Sequence, residues 1–422
     1  MKKFATCFLM SALAATAAEK ANDFGEIFTN GEVDLKARLG YEFAGGQGQG
    51  SDKDDANALT LSNYVGFRTA EMAGISLYAQ YHSNQRVGSD YDDTEGHNSG
   101  KYEKVADPDV TRWQQLYVDF TLIPDTKVRV GRQEIIQNDA RFIGNIGWRQ
   151  TAQTFDAVSI TNKSIDKLEL FAAYADKVNT IFGNSVEYDS IIMLNAKYKL
   201  NDDHTITGFS YFVDGDEGLK KKGGNAHKGA TTLDSATYGV RADGKFGDIL
   251  YDVTYAYQTD YQDSDDHEAH FAHLYGGYKM GDWTPGAGYM FIDDASSDGK
   301  SFDTLFSTAH KFNGWSDRFL GTNGGTLTDG LQDYYLDVKG KFMGNKVVLA
   351  YHYFDDVAGN DDYGMEYNAL IARKLTDNLT ASVKAAYFVG NDDRGDAYAN
   401  DDMNVWLRLD YAIGSKISDI FK

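Results

Sequence analysis

Side chains alternate between apolar and polar along almost the whole chain. In residues 33–43 one set is Val33, Leu35, Ala37, Leu39, Tyr41 and Phe43, and the other is Asp34, Lys36, Arg38, Gly40 and Glu42. Residues 379–389 alternate likewise, with Leu379, Ala381, Val383, Ala385, Tyr387 and Val389 on one side. In residues 404–413, Val405, Leu407, Leu409, Tyr411 and Ile413 oppose Trp406, Arg408, Asp410 and Ala412. A period of two marks strands with one apolar face. Further segments of this kind begin near Leu59, Ile75, Trp113, Lys127, Phe155, Leu168, Ser190, Thr205, Thr237, Leu250, Glu268, Pro285, Asp333, Val347 and Met365. The pattern predicts about 18 strands.

The connections between these segments narrow the fold class. Every second one is short: Met72-Ala73-Gly74, Pro124-Asp125, Asn162–Asp166, Asn201-Asp202-Asp203, Gly247-Asp248, Gly281-Asp282, Gly344-Asn345 and Thr376-Asp377-Asn378. The intervening ones are long and polar, among them 45–55, 86–109, 139–151, 215–233, 293–329 and 390–401. Short turns on one rim and long loops on the other characterise a transmembrane antiparallel β-barrel, with periplasmic turns and extracellular loops. A strand in hydrocarbon must pair every backbone N–H and C=O, so the sheet has to close. The scarcity of proline, 3 residues in 422, suits that demand. Tyr41, Tyr81, Tyr174, Tyr198, Tyr257, Tyr387 and Tyr411 fall late on apolar faces, where an aromatic girdle is expected.

The first residues assign the compartment. Lys2 and Lys3, the apolar run from Phe4 to Ala15 and the small residues Ala15-Thr16-Ala17 form an export leader, with cleavage after residue 17. The expected organisation is a leader over 1–17 and a single barrel domain over 18–422. Cys7 is the one cysteine and lies in the leader, so the exported chain is expected to carry no disulfide. Loss of Lys2 and Lys3 takes the formal charge from -22 to -24, which excludes a general nucleic-acid binder. The expected surroundings are outer-membrane lipid and lipopolysaccharide. The terminal run Asp419-Ile420-Phe421-Lys422 lies beyond the last clear strand.

Opposite the apolar faces, the inward-pointing set holds Lys36, Arg38, Arg68, Lys127, Arg129, Lys197, Arg241, Lys339, Lys384 and Arg408, with Asp119, Glu169, Asp243, Asp252, Asp337, Glu366 and Asp410. Mixed charge of this kind argues against a dry interior and for an aqueous lumen, as a barrel of about 16–18 strands leaves. A charged lumen reads as a path for a hydrophilic solute. Many acids fall instead in loops, including Asp54, Asp55, Asp92, Asp93, Asp263, Asp361, Asp362, Asp392 and Asp393. No spacing among them matches a defined calcium loop, and neither a metal nor a cofactor is expected. The nine histidines (82, 97, 204, 227, 267, 270, 273, 310 and 352) are scattered. His267, His270 and His273 cluster near a strand start, where His270 takes the opposite face, and no nucleophile accompanies them. An enzyme is therefore not expected; a general diffusion porin or an adhesin with long surface loops stays open as an alternative.

One stretch carries more than periodicity. Gly131-Arg132-Gln133-Glu134-Ile135 closes a strand, residues 138–150 read NDARFIGNIGWRQ, and Thr154-Phe155-Asp156-Ala157-Val158 opens the next. This resembles the signature segment of the alginate-export family of outer-membrane barrels, and Thr308-Ala309-His310-Lys311-Phe312-Asn313-Gly314-Trp315 in the longest loop resembles it too. The resemblance implies an 18-stranded, monomeric barrel that conducts an anionic polysaccharide passively through an arginine-lined constriction. It adds Arg132, Arg141 and Arg149 to the candidate pore-lining residues and implies that the loop near 139–150 folds into the mouth as a constriction; the alternative is a loop that packs for structure, with Phe142 and Trp148 as anchors. Alternation that serves lipid outside and water inside predicts that the leaderless chain folds only with detergent or lipid. A folded monomer in plain buffer, by circular dichroism and sedimentation, would end that reading.

Overall fold

A computed structural model describes residues 19–46, 53–215, 234–264, 266–295, 300–323, 325–359, 361–394 and 397–416. Residues 1–18, with Cys7 and the expected leader, and His227, most of the 215–233 loop and the terminal run 419–422 lie outside the described residues. All the strands belong to one antiparallel sheet. They are β1 (Glu32–Gly45), β2 (Ala56–Arg68), β3 (Ile75–Asp90), β4 (Val110–Ile123), β5 (Thr126–Gln133), β6 (Thr154–Asn162), β7 (Leu168–Asn179), β8 (Ser185–Lys199) and β9 (His204–Gly215). The second half holds β10 (Ser235–Phe246), β11 (Ile249–Asp260), β12 (Glu268–Tyr278), β13 (Trp283–Ile292), β14 (Leu331–Phe342), β15 (Asn345–Asp355), β16 (Gly364–Lys374), β17 (Leu379–Gly390) and β18 (Asp402–Lys416). Each expected strand is present. β1 pairs with both β2 and β18, in registers Leu39↔Leu61 and Leu39↔Leu409, so the sheet closes and no edge is left.

The short turns lie on one rim, where left-handed backbone is taken by Ala73 and Gly74, Asp125, Gly247, Gly281 and Gly344. The long connections lie on the other. The connection between β7 and β8 departs from the expected rhythm, because it spans only residues 180–184 on the long-loop rim. A one-turn helix, α1 (Phe24–Thr29), precedes β1 and is capped by Asp23, whose side chain accepts from the Glu26 amide at 2.9 Å. Among the described residues no helix is long and apolar enough to cross a membrane.

Parity along each strand separates two environments. Leu39, Val65, Leu194, Val253, Leu349 and Leu407 are all exposed on the outer wall. An apolar band this large would be a liability in water and is the required surface in hydrocarbon. Tyr81, Tyr174, Tyr198, Tyr387 and Tyr411 are exposed on that same face, as the girdle reading requires.

The interior corrects one expectation. Its half nearest the long loops is packed and dry, with an apolar core that joins inward wall residues Phe155, Phe209, Phe271 and Phe354 to loop residues Phe142, Phe302, Phe306 and Phe319. Parity counts only what the strands supply to the lumen, and the loops supply the rest. If the outer parity meets hydrocarbon, Val253→Arg should cost roughly 2–4 kcal/mol near mid-membrane. Denaturant unfolding in lipid vesicles measures it, and an unchanged midpoint would reverse the inside–outside assignment.

Candidate functional site

Two loops enter the barrel and meet: residues 134–153 between β5 and β6, and the described residues 300–323 and 325–330 of the connection between β13 and β14. They bond directly, Gly144 N to Phe306 O at 3.0 Å, Thr308 N to Ala140 O at 3.0 Å and Ile146 N to Thr308 Oγ1 at 3.2 Å. Small residues make room for this. A Cβ on Gly40 of β1 would stand 2.6 Å from the Gln150 amide, and one on Gly144 would stand 2.5 Å from Thr308 Oγ1. The first loop is then tied to the β1–β3 wall, where Ser62 and Tyr64 hydroxyls donate to Gln150 O at 2.9 and 2.7 Å.

The basic residues of the wall do three different things. Some hold loop backbone. Arg38 donates to the carbonyls of Gly147, Trp148 and Arg149 at 3.3, 3.1 and 3.0 Å while pairing with Asp410 at 2.6 Å. Arg408 donates to Trp148 O at 2.6 Å. Others pair with acids along the wall. Arg129 forks onto Asp119 at 2.6 and 2.9 Å and lies 3.7 Å over Tyr117, and Arg68 reaches Asp119 at 3.4 Å. Arg241 pairs with Asp252, and Lys339 pairs with Asp337 at 2.8 Å. A third group, Lys36, Lys127 and Lys197, points inward in the half nearer the short turns and makes no ion pair among the described residues, and Lys384 contacts a loop histidine.

Arg132 departs from the expected lumen position. It pairs across the sheet with Leu116 and Asp156, in the parity of the exposed Val130 and Val158, and its guanidinium forks onto Asp156 at 2.7 and 3.0 Å. It therefore sits on the outer wall, because the period of two persists to the end of β5. Arg141 and Arg149 do lie inside, both buried in the first loop.

Where the two loops meet β16–β18, one constellation holds them. Trp148 stacks on His310 at 3.4 Å between ring centres, and Trp406 of β18 meets Trp148 edge-on at 6.0 Å. The Lys384 ammonium of β17 contacts His310 Nε2 and lies 4.4, 4.7 and 5.2 Å from the rings of Trp315, Trp406 and Trp148. His310 Nδ1 donates to Asp317 at 2.7 Å, so Nε2 accepts from Lys384. Arg149 joins Asp317 at 3.1 Å, Glu42 at 2.9 Å and Asp107 at 3.5 Å. Glu366 of β16 accepts from the Trp315 and Ser316 amides, which Gly314 permits: a Cβ there would lie 2.6 Å from that carboxylate.

Burial pulls the Arg149 guanidinium down, but its three carboxylates outweigh this and hold it above the ordinary arginine value. Burial, with Lys384, Arg149 and Arg408 close by, pushes His310 well below the usual imidazole range, so the ring is neutral. Burial pushes Asp317 up to about 6 against the pull of Arg149 and Lys384. Glu42 and Trp406 were visible in the sequence as inward parity. Asp317 was not, because loop residues carry no periodicity. Of the clustered histidines, His267 and His273 face inward and His270 bonds Tyr255 on the outer face. Among the described residues no group of three metal-ligating side chains occurs.

Removing the Lys384 ammonium takes the donor from His310 and the cation from three indoles. Lys384→Met should weaken loop docking by about 1–3 kcal/mol. Single-channel traces should then show more frequent or larger openings; a trace like the wild type's would count against the clamp. Because the folded chain keeps the Asp317 proton up to about pH 6 and an ordinary aspartate loses it near 3.8, this group's stabilising contribution falls as pH rises through that window. Thermal unfolding in detergent from pH 4 to 7 should show the decline, and Asp317→Asn should remove this component.

Comparison with known proteins places this architecture. Pseudomonas aeruginosa OpdQ superposes with a TM-score of 0.68 at 13% identity, over 92% of this chain and 99% of that one. OpdK from the same organism, solved with vanillate, gives 0.66 at 11% identity over 92% and 100%. Acinetobacter baumannii OccAB4 gives 0.67 at 13% over 91% and 98%. At such identities these structures establish the fold. No curated protein matches the sequence. The family model described as alginate export matches residues 29–382, so this chain belongs to the alginate-export family and is a β-barrel channel of the bacterial outer membrane.

Proposed function

We propose that the barrel is a passive route for hydrophilic, anionic solutes, and that the loop-filled constriction sets its selectivity. The observation that carries this reading is the set of inward lysines, Lys36, Lys127 and Lys197, which face the lumen without an acid partner among the described residues. Most other inward cations are committed to acids or to loop carbonyls, so these three supply positive potential to a passing anion. The family's description and the vanillate present in the OpdK crystal structure agree with an anionic cargo.

The long loops are acidic, with Asp92, Asp93, Asp361, Asp362, Asp392 and Asp393 among their residues. They repel a polyanion arriving from outside, which favours export from the periplasm or uptake of a small solute. Residues 1–17 are read as the export leader and the remainder as one monomeric barrel set in lipid and lipopolysaccharide.

At about 8 Å in water-like surroundings one lysine is worth about 0.5 kcal/mol to a passing anion, roughly a twofold bias. The triple variant Lys36→Gln, Lys127→Gln, Lys197→Gln should therefore lose a several-fold anion preference in reversal potentials across planar bilayers. An unaltered reversal potential would remove the basis for anion selection by these lysines, and absence of any current in the wild type would remove the channel role itself.

A further inference from the structure

We infer that α1 is a membrane anchor: its aromatic face, Phe24 with Phe28, lies among the acyl chains of the lipid leaflet at the short-turn rim. Helices shorter than about 12 residues are marginal in water by themselves. α1 has 6 residues and buries none of its side chains in the protein. It is nonetheless fastened at several points. Asn22 donates to the Glu26 carboxylate through its amide and its side chain, at 2.7 and 3.0 Å, beside the cap from Asp23. Ala70 N donates to Ile27 O at 2.9 Å and Ala21 N to Glu71 O at 2.8 Å, which holds the helix against the turn that follows β2.

The place where it is held decides what its rings touch. Phe67 of β2 shares the parity of Val65, on the outer wall. Phe28 lies over Phe67 with ring centres 6.4 Å apart and planes 4° apart, and Phe24 meets Phe28 edge-on at 5.6 Å. Gly31 permits this approach, since a Cβ there would stand 2.7 Å from the Phe67 ring and 2.8 Å from Arg68 O. The three phenyl rings therefore continue the outer wall past the end of β2. Phe24 is 72% exposed and Phe28 47%, close to the exposed Val65, Leu35, Ile75 and Leu77 of the wall.

In water such rings are a cost, whereas hydrocarbon covers them and the wall in one continuous surface. Phenyl rings lack the polar handle that keeps tyrosine and tryptophan at the headgroups, so they enter the chain region. Residues 19–31 hold three acids, Glu19, Asp23 and Glu26, and one base, Lys20. Attraction to anionic headgroups therefore does not hold the helix, and apolar insertion does. α1 thus sets the depth of the short-turn rim in its leaflet and keeps the chain before β1 outside the lumen. This assignment is independent of the solute the barrel conducts.

The test uses the full chain folded into phosphatidylcholine vesicles. The chain has one cysteine, so a Cys7→Ser background leaves Phe24→Cys as the single thiol. A nitrobenzoxadiazole label there should be quenched several-fold more by nitroxide on the lipid chains than the same label at Thr29→Cys, on the side of α1 away from the rings. Aqueous iodide should reverse the order. Phe24→Trp, read as a difference from wild-type emission with bromine-substituted lipid, reports the same contact without a dye. Equal iodide quenching at 24 and 29, with no response to lipid nitroxide, would overturn the anchor. A label at 24 shielded from both reagents would overturn it too, because protein would then be the cover. β18 ends at Lys416 opposite Glu32, so deletion of residues 417–422 would identify that cover as the chain's own end, and dilution into excess lipid would identify it as a second copy.

Discussion

Backbone polarity in hydrocarbon is the constraint from which the rest of this molecule follows. A peptide group in the bilayer core has no water to bond, so a strand there must be paired on both sides. β1 meets that demand by pairing with β2 and β18 at once. Closure then fixes what the two parities mean. The outer set must be apolar, and the inner set is released to carry charge.

A barrel of this size would be wide open if it held only its strands. The two inserted loops change its interior from a water-filled tube to a partly packed one. Near the long-loop rim, aromatic residues from wall and loops form a dry core. Toward the short turns, unpaired lysines face the lumen. Charge is thereby varied along the axis: acids dominate the long loops, buried arginines hold loop backbone and carboxylates in the constriction, and toward the short turns ion-paired cations stand beside Lys36, Lys127 and Lys197, which make no ion pair among the described residues.

The constriction is held by buried polar contacts that are individually expensive and mutually dependent. Arg38 and Arg408 serve loop carbonyls that would otherwise be buried without donors, and Glu366 does the same for two amides. Lys384, the neutral His310 ring, Asp317 and Arg149 form a chain of buried polar contacts in which each group is partnered by the next.

The strand count, the closure, the outer face and the alternation of turn lengths were all legible in the sequence, because each follows from a local period of two and from turn chemistry. Inward parity correctly placed Arg38, Arg129, Arg241, Lys384 and Arg408 inside. The same parity correctly excludes Arg132 from the lumen, where motif resemblance had put it. Which cations are free and which are spent on loop carbonyls could not be read, nor could the role of Asp317. Those facts depend on where residues 134–153, 300–323 and 325–330 come to rest, segments distant in the chain and without periodicity. The sequence by itself determined the wall, since each residue there answers to lipid or lumen through its nearest neighbours. Only the tertiary structure decided the contents of the lumen, since the contacts there join residues more than a hundred positions apart, such as Arg38 with Trp148.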